Sequence, residues 1–290
     1  MARVAAQISN FTAGELSPRL DGRNDLAKYS AGCATVENMV IYPHGAAARR
    51  PGTQYVAEVK SSAAKTRLIP FEFSTTQTYI LELGNEYIRF YRDNGQILSS
   101  GSPYEISSPY LTAELFDIKF AQSADVMYIT HPSHKTRKLS RTGHTSWTLT
   151  EVDFTNGPYL DTNTSTTTIT ASAQTVGTGR TFTASANTFA STDVGRLVRF
   201  RDGYAKITAY TSATVVTVEI LKDTGATTAS TDWSLGAFSE TTGHPSCVSF
   251  FEQRLVFAAT LNNPQTVYFS RSGDYENMDA NIGGTVADDD

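Results

Sequence analysis

The sequence predicts a mainly β protein: a partial or interrupted β-propeller that carries an inserted small Thr-rich β-barrel or sandwich and follows a short N-terminal helix. Three observations predict it. From Thr66 onward, short β-branched and aromatic runs are separated by Gly, Asn, Asp and Pro, which is the punctuation of strands and turns. Sliding the chain by 130 positions lays one strand-and-turn pattern over another without a gap. Between the two copies, residues 161–235 hold 20 Thr, 7 Ser and 10 Ala, a composition unlike that of the flanks. The resulting division is 1–65 for an arm and helix, 66–160 for propeller-like meanders, 161–235 for the insertion and 236–290 for the return to the meander pattern.

The helix is expected after Asn24, a good N-cap, with Asp25 in the first turn. Leu26, Tyr29, Cys33, Val36 and Met39 or Val40 then recur at a spacing that makes one apolar stripe. Gly32 weakens it by about 1 kcal/mol relative to Ala, so tertiary contact has to hold it. A hairpin follows, with runs 79–83 and 87–91 flanking Gly84-Asn85-Glu86. The next meander runs 126–130, a turn at Pro132, 137–141, a turn at Gly143, and 147–154. In the 130-residue repeat, Val126 meets Val256, Thr130 meets Thr260, Ser140-Arg141 meets Ser270-Arg271, and Gly143 meets Gly273. Repeated antiparallel meanders are the signature of blades that bury their faces against neighbours. A hairpin sandwich is the competing architecture. The insertion is too rich in apolar residues for disorder, with Phe182, Phe189, Val198, Phe200, Val216, Val218, Ile220 and Trp233 among them.

Length and charge bound the function. At 290 residues the chain is long enough for a sizeable core, since single cores stop growing at about 250–300 residues. The net charge of −5 disfavours a tight sequence-reading nucleic-acid binder, which must neutralise many phosphates. The charge is uneven: residues 1–70 hold 9 basic and 5 acidic side chains, residues 236–290 hold 2 and 8. Cys33 and Cys247 suggest neither a disulfide framework nor a cysteine-rich zinc site, and a reducing site of synthesis fits. No secretory signal and no run of 18 apolar residues is present, so the expected place of synthesis is a cytoplasm.

No catalytic, cofactor-binding or metal-binding set is nominated. Ser140 to Trp147 has the Ser and Trp of a sialidase Asp-box but lacks its Asp and sets Gly one residue early, so it reads as a blade turn with an anchoring Trp. Glycoside hydrolysis needs two carboxyl groups about 5–9.5 Å apart, and no pair stands out. His131 and His134 have H-x-x-H spacing but flank Pro132, without the helical HExxH arrangement, so surface turn histidines are expected. His44 and His244, beside Pro43 and Pro245, read as loop residues. Gly177-Thr178-Gly179-Arg180 reads as a turn, and no phosphate-binding G-x-x-x-x-G-K-[ST] loop occurs. Asp288-Asp289-Asp290 reads as a solvated end.

One set of ordered motifs is more specific. It comprises Asn10-Phe11-Thr12-Ala13-Gly14-Glu15-Leu16-Ser17-Pro18-Arg19-Leu20, Gly22-Arg23, Asp25-Leu26, then Asn38, Pro43, Gly45, Arg49-Arg50-Pro51-Gly52-Thr53 and Leu68-Ile69-Pro70-Phe71. Gln122-Ser123-Ala124-Asp125, Phe250-Phe251, Gln253-Arg254-Leu255 and Ser270-Arg271 continue it. Together these resemble the podophage (T7-like) tail tubular, tail nozzle or head-tail stabilisation protein family, over residues 8–160 and again over 243–278. The resemblance implies a virion tail protein assembled in the bacterial host cytoplasm. It also implies a ring of identical subunits, six in T7-like relatives, docked through the arm onto a connector or portal-proximal protein and conducting double-stranded DNA during ejection. Arg19, Arg23, Arg49 and Arg50 are its interface candidates. Family members are usually much longer, so the expectation is either propeller closure by further sequence or a shortened member. The alternatives are a receptor- or glycan-binding tail module that reads through the Thr-rich insertion and, third, a polysaccharide-degrading tail enzyme.

Overall fold

The computed structural model describes residues 8–279, 281–282 and 285–286; the Asp288–Asp290 end lies outside them. The chain forms two compact units, residues 1–55 and 56–290, so the boundary falls ten positions before the one expected at residue 65.

The first unit is built from short pieces. Gly14–Glu15 pairs in parallel with Gly32–Cys33, and Met39–Ile41 pairs antiparallel with Ala47–Arg49. The expected α-helix after Asn24 is absent: residues 24–40 hold one 3-10 turn, Tyr29–Ala31, followed by the extended Gly32. The physical reason is twofold. A Cβ at Gly32 would lie 2.5 Å from the Leu16 side chain, so this glycine serves the close parallel pairing instead of a helix. The apolar stripe also has nothing to bury against, because no apolar side chain from residue 8 to residue 55 is fully buried. A short helix without a packed face does not recover its nucleation cost.

The second unit is a stack of antiparallel sheets. In the first sheet, β1 (Arg67–Ser74), β2 (Gln77–Gly84), β3 (Tyr87–Arg92) and β4 (Glu105–Ser107) lie in the order β4-β3-β2-β1, with Gly95–Gln96 added beside β3. The β2–β3 hairpin forms at the expected place, with Glu86 in the left-handed region at φ 61°. The middle sheet is a four-stranded meander of β5 (Lys119–Ser123), β6 (Val126–His131), β7 (His134–Gly143) and β8 (Ser146–Glu151). Alternation along β6 sends Met127 and Ile129 towards the first sheet, where they join Ile69, Phe71, Leu81 and Phe90 in one core. Tyr128 and Val126 point the other way, into a second core with Leu255, Phe257 and Tyr268. The middle sheet is therefore buried on both faces.

Those last residues belong to the third sheet, β15 (Cys247–Phe251), β16 (Arg254–Ala258) and β17 (Val267–Phe269). Between the middle and third sheets the chain forms the inserted sheet: β9 (Ile169–Ala171), β10 (Gly177–Ala184), β11 (Leu197–Phe200), β12 (Gly203–Ser212), β13 (Val215–Lys222) and β14 (Trp233–Leu235). It is one curled, six-stranded antiparallel sheet in the order β9-β10-β13-β12-β11-β14, a half-barrel whose two edges approach each other where Ile169 of β9 bridges Ser230, just before β14. Phe182, Phe200, Ile207, Val216, Val218 and Ile220 fill its concave face. Thr170, Thr181, Thr183 and Thr217 alternate to the other side, which is how a Thr-rich sequence satisfies a half-buried pleated surface.

The 130-residue repeat corresponds to β5-β6-β7 and β15-β16-β17, two three-stranded meanders. Their pairing differs by one residue: Val126 faces Ser140, whereas Val256 faces Phe269. The tight turn at Pro132 and Ser133 is replaced in the second copy by the longer connection 259–266, so the gapless alignment does not carry the register. The described residues form a three-sheet stack with a curled insertion; they do not close a propeller.

Candidate functional site

The four arginines nominated by the sequence all lie exposed in the first unit. Arg23 is held by Asp25 through two contacts of 2.8 and 2.7 Å. Arg50 donates from Nε to Asn38 Oδ1 at 2.7 Å, and its backbone N–H bonds the Asn38 carbonyl. Arg19 closes the 3-10 turn Pro18–Leu20, and Arg49 ends a strand opposite Met39. Neither of these two has a side-chain partner among the described residues, so they are the arginines available to an outside carboxylate or phosphate.

The outer faces of the stack are unlike a solvated sheet surface. On the third sheet, cross-strand pairing puts Cys247, Ala258 and Val267 in one row and Ser249, Val256 and Phe269 in the next, with Phe251 beside them. Phe251 is 58%, Phe269 47% and Val267 49% exposed. The first sheet also leaves Leu68 and Ile80 exposed at its outer side. Contiguous apolar exposure of this kind marks association surfaces. Part of the first sheet's outer face is strapped by residues 56–60. There the buried Glu82 accepts from Tyr87 Oη at 2.5 Å, from Tyr91 Oη and from the Lys60 N–H at 3.3 Å, and Lys60 Nζ reaches Glu105 at 2.6 Å.

A cleft of about 320 Å³ lies where the insertion leaves the stack, bordered by Asp153, Arg196, Lys206, Phe238 and His244. Its charged groups are engaged with one another: Lys206 binds Asp153 at 2.7 Å and Lys135 binds Glu151 at 3.4 Å. Beneath it, the buried Arg196 meets Asp193 at 2.8 Å and donates from Nε to the Gly236 carbonyl at 2.7 Å. Asp193 also accepts from Thr241 Oγ1 at 2.7 Å and from the Ala190 N–H at 2.8 Å. These bonds fasten the insertion to the chain that returns from it. Sequence reasoning missed the network: Asp193 and Arg196 are three residues apart, but their partners Gly236 and Thr241 are distant along the chain and no local pattern links them.

The Ser140–Trp147 segment is a hairpin turn between β7 and β8, and Trp147 anchors it, donating from Nε1 to the His144 carbonyl at 3.1 Å. His44 is exposed and stacks on Tyr42 at 5.3 Å. His131 departs from the expected surface position, being 4% exposed, and His244 lies in a loop as expected but is equally buried. Burial first, then Lys135 and His134, lowers the His244 pKa against the opposing pull of Glu240, whose carboxylate lies 3.1 Å from Nε2. A folded-state pKa below the ordinary 6.5 means that stability is complete above that value and is lost as pH falls through the folded pKa. Melting temperature is expected to drop as pH falls below about 6.5, and His244→Gln to flatten the slope; an unchanged slope would remove His244 from the account.

No helix among the described residues is long and apolar enough to cross a membrane. The fold defines the chain as a mainly β protein of stacked antiparallel sheets with a curled inserted sheet. No protein-family model matches the sequence, and no curated protein matches it.

Proposed function

We propose that this protein is a structural, non-catalytic subunit of a short phage tail, a tube or nozzle component that forms a homo-oligomeric ring below the head-tail connector and conducts DNA. The observation that carries the ring is the open stack. A sheet buried on both faces lies between two sheets that each pack one face against it, so the stack ends in two different outer faces, each with exposed apolar side chains. Unlike faces associate head to tail, and a head-to-tail contact closes into a ring when its rotation divides the circle. In this reading the three sheets are propeller-like blades, and the outer face of the third sheet packs against the first sheet of the next subunit.

The tail assignment is supported by the ordered motifs from Asn10 to Thr53, and the coreless first unit suits an arm that gains its packing from a partner. Arg19 and Arg49 would meet acidic groups of that partner. A net charge of −5 suits a channel in which duplex DNA slides without strong phosphate contacts.

Electron microscopy and mass photometry of the purified protein are expected to reveal closed rings. Phe251→Ser with Phe269→Ser is expected to yield monomers whose melting temperature matches that of the isolated wild-type subunit. A wild-type protein that stays monomeric at high concentration and binds host polysaccharide saturably would replace the ring with the receptor-binding reading.

A further inference from the structure

The H-x-x-H pair sits in a setting that its spacing alone did not reveal. His131 ends β6 and His134 begins β7, and the two residues are direct cross-strand partners around the Pro132-Ser133 turn. Opposite residues in an antiparallel pair project from the same face with Cβ atoms about 4.5–5.5 Å apart. A two-residue hairpin therefore does for H-x-x-H what one helical turn does for HExxH. The imidazole centroids lie 5.0 Å apart.

A third donor arrives from the connection between the first and middle sheets. Glu114 Oε2 is 2.9 Å from His134 Nε2 and also accepts the Leu111 N–H at 2.8 Å. One ligand atom from each of Glu114, His131 and His134 lies within 4.8 Å of the others. Tetrahedral zinc with bonds of about 2.0–2.1 Å sets its ligands about 3.4 Å apart, a contraction that side-chain rotation of the two half-buried residues can supply. Next to the cluster, Tyr110 packs edge-on against His134 at 5.3 Å and against His131 at 6.3 Å. Tyr110 is fully buried and its hydroxyl has no hydrogen-bond partner among the described residues. A buried polar atom without a partner is costly and calls for a water or ion.

We propose that Glu114, His131 and His134 bind a divalent metal ion of the zinc class, which staples the connection 108–118 to the β6–β7 hairpin. Two imidazoles and one carboxylate form the donor set of borderline first-row ions, and three protein ligands leave a fourth position for water. Loading replaces the Glu114–His134 hydrogen bond by coordination. It also gives up the contact from the Ser133 N–H to His131 Nδ1, 3.2 Å long: a metal on Nδ1 displaces it, and a metal on Nε2 moves the ring proton to Nδ1. The proposal is independent of the tail reading, since it concerns how two sheets of one subunit are held.

The test is titration of the metal-free full chain with Co²⁺ and Zn²⁺, read by calorimetry and by the visible d–d bands of Co²⁺. One ion per chain is expected, with intense bands of a four-coordinate N/O site and a higher melting temperature. Glu114→Gln and His134→Gln keep side-chain size and are each expected to weaken Co²⁺ binding at least about 10-fold, the loss that even an outer partner of a metal ligand causes. Circular dichroism verifies that each variant is folded. Absence of stoichiometric Co²⁺ binding by the wild-type chain, or equal binding by both folded variants, overturns the proposal.

Discussion

Asp193→Asn is expected to destabilise the protein by about 3–5 kcal/mol, the cost of stranding one member of a buried ion pair. The carboxylate it alters is 1% exposed and the guanidinium it faces is 4% exposed. Asparagine keeps the shape and still accepts the Ala190 N–H, but it leaves Arg196 charged in a site where burial already lowers its pKa against the pull of Asp193. Removing both charges, as in Asp193→Asn with Arg196→Met, is expected to recover much of the loss, because an apolar replacement removes the stranded charge. Urea denaturation of the four proteins of this cycle measures the coupling. Equal midpoints for the single and double variants would mean that the pair contributes nothing beyond packing.

The second large effect is expected at Trp147. Its ring stacks on Phe90 at 4.5 Å and meets Phe71 and Tyr79 edge-on at 4.8 and 5.2 Å. It comes from the middle sheet, while all three partners come from the first, so one side chain bolts the two together. Trp147→Ala is expected to cost about 3–5 kcal/mol through lost burial and the cavity left behind. Trp147→Phe should cost less, since the aromatic contacts survive while the bond from Nε1 to the His144 carbonyl is lost. Chemical denaturation followed by circular dichroism distinguishes the two; a loss below about 1 kcal/mol for the alanine variant would show that the core collapses into the space.

Strand and turn chemistry carried much of the fold. Gly84-Asn85-Glu86 marks a hairpin that forms, and Pro132 and Gly143 mark the turns of the middle sheet. The stripe from Leu26 to Val36 has genuine helical spacing, yet periodicity only describes a face, and residues 8–55 offer that face no core. The insertion's β content was legible from its β-branched residues. How far its sheet curls was not, because closure depends on how far strands bend and not on which residues alternate. At the histidine cluster the H-x-x-H spacing is visible in the sequence, but a helix is not what presents it. The two-residue turn at Pro132-Ser133 is the signal that puts both rings on one side. Glu114 could not be assigned from sequence, since it reaches the pair from another connection. Arg19, Arg23, Arg49 and Arg50 are exposed, and of these four Arg19 and Arg49 have no side-chain partner among the described residues.

The neck of the insertion has a kinetic consequence. Tyr159 bridges Gly236, and Leu160 N–H bonds the Leu235 carbonyl at 2.8 Å, so the chain leaves and re-enters the stack at nearly one point. Without that neck, the third sheet would have to find the middle sheet across more than seventy residues of loose chain, and both closure entropy and folding time rise with such separation. Once the curled sheet has folded on its own local contacts, the two ends are already together. β15 then meets β6 as if a short turn joined them, and the long detour adds little to the time needed to build the stack.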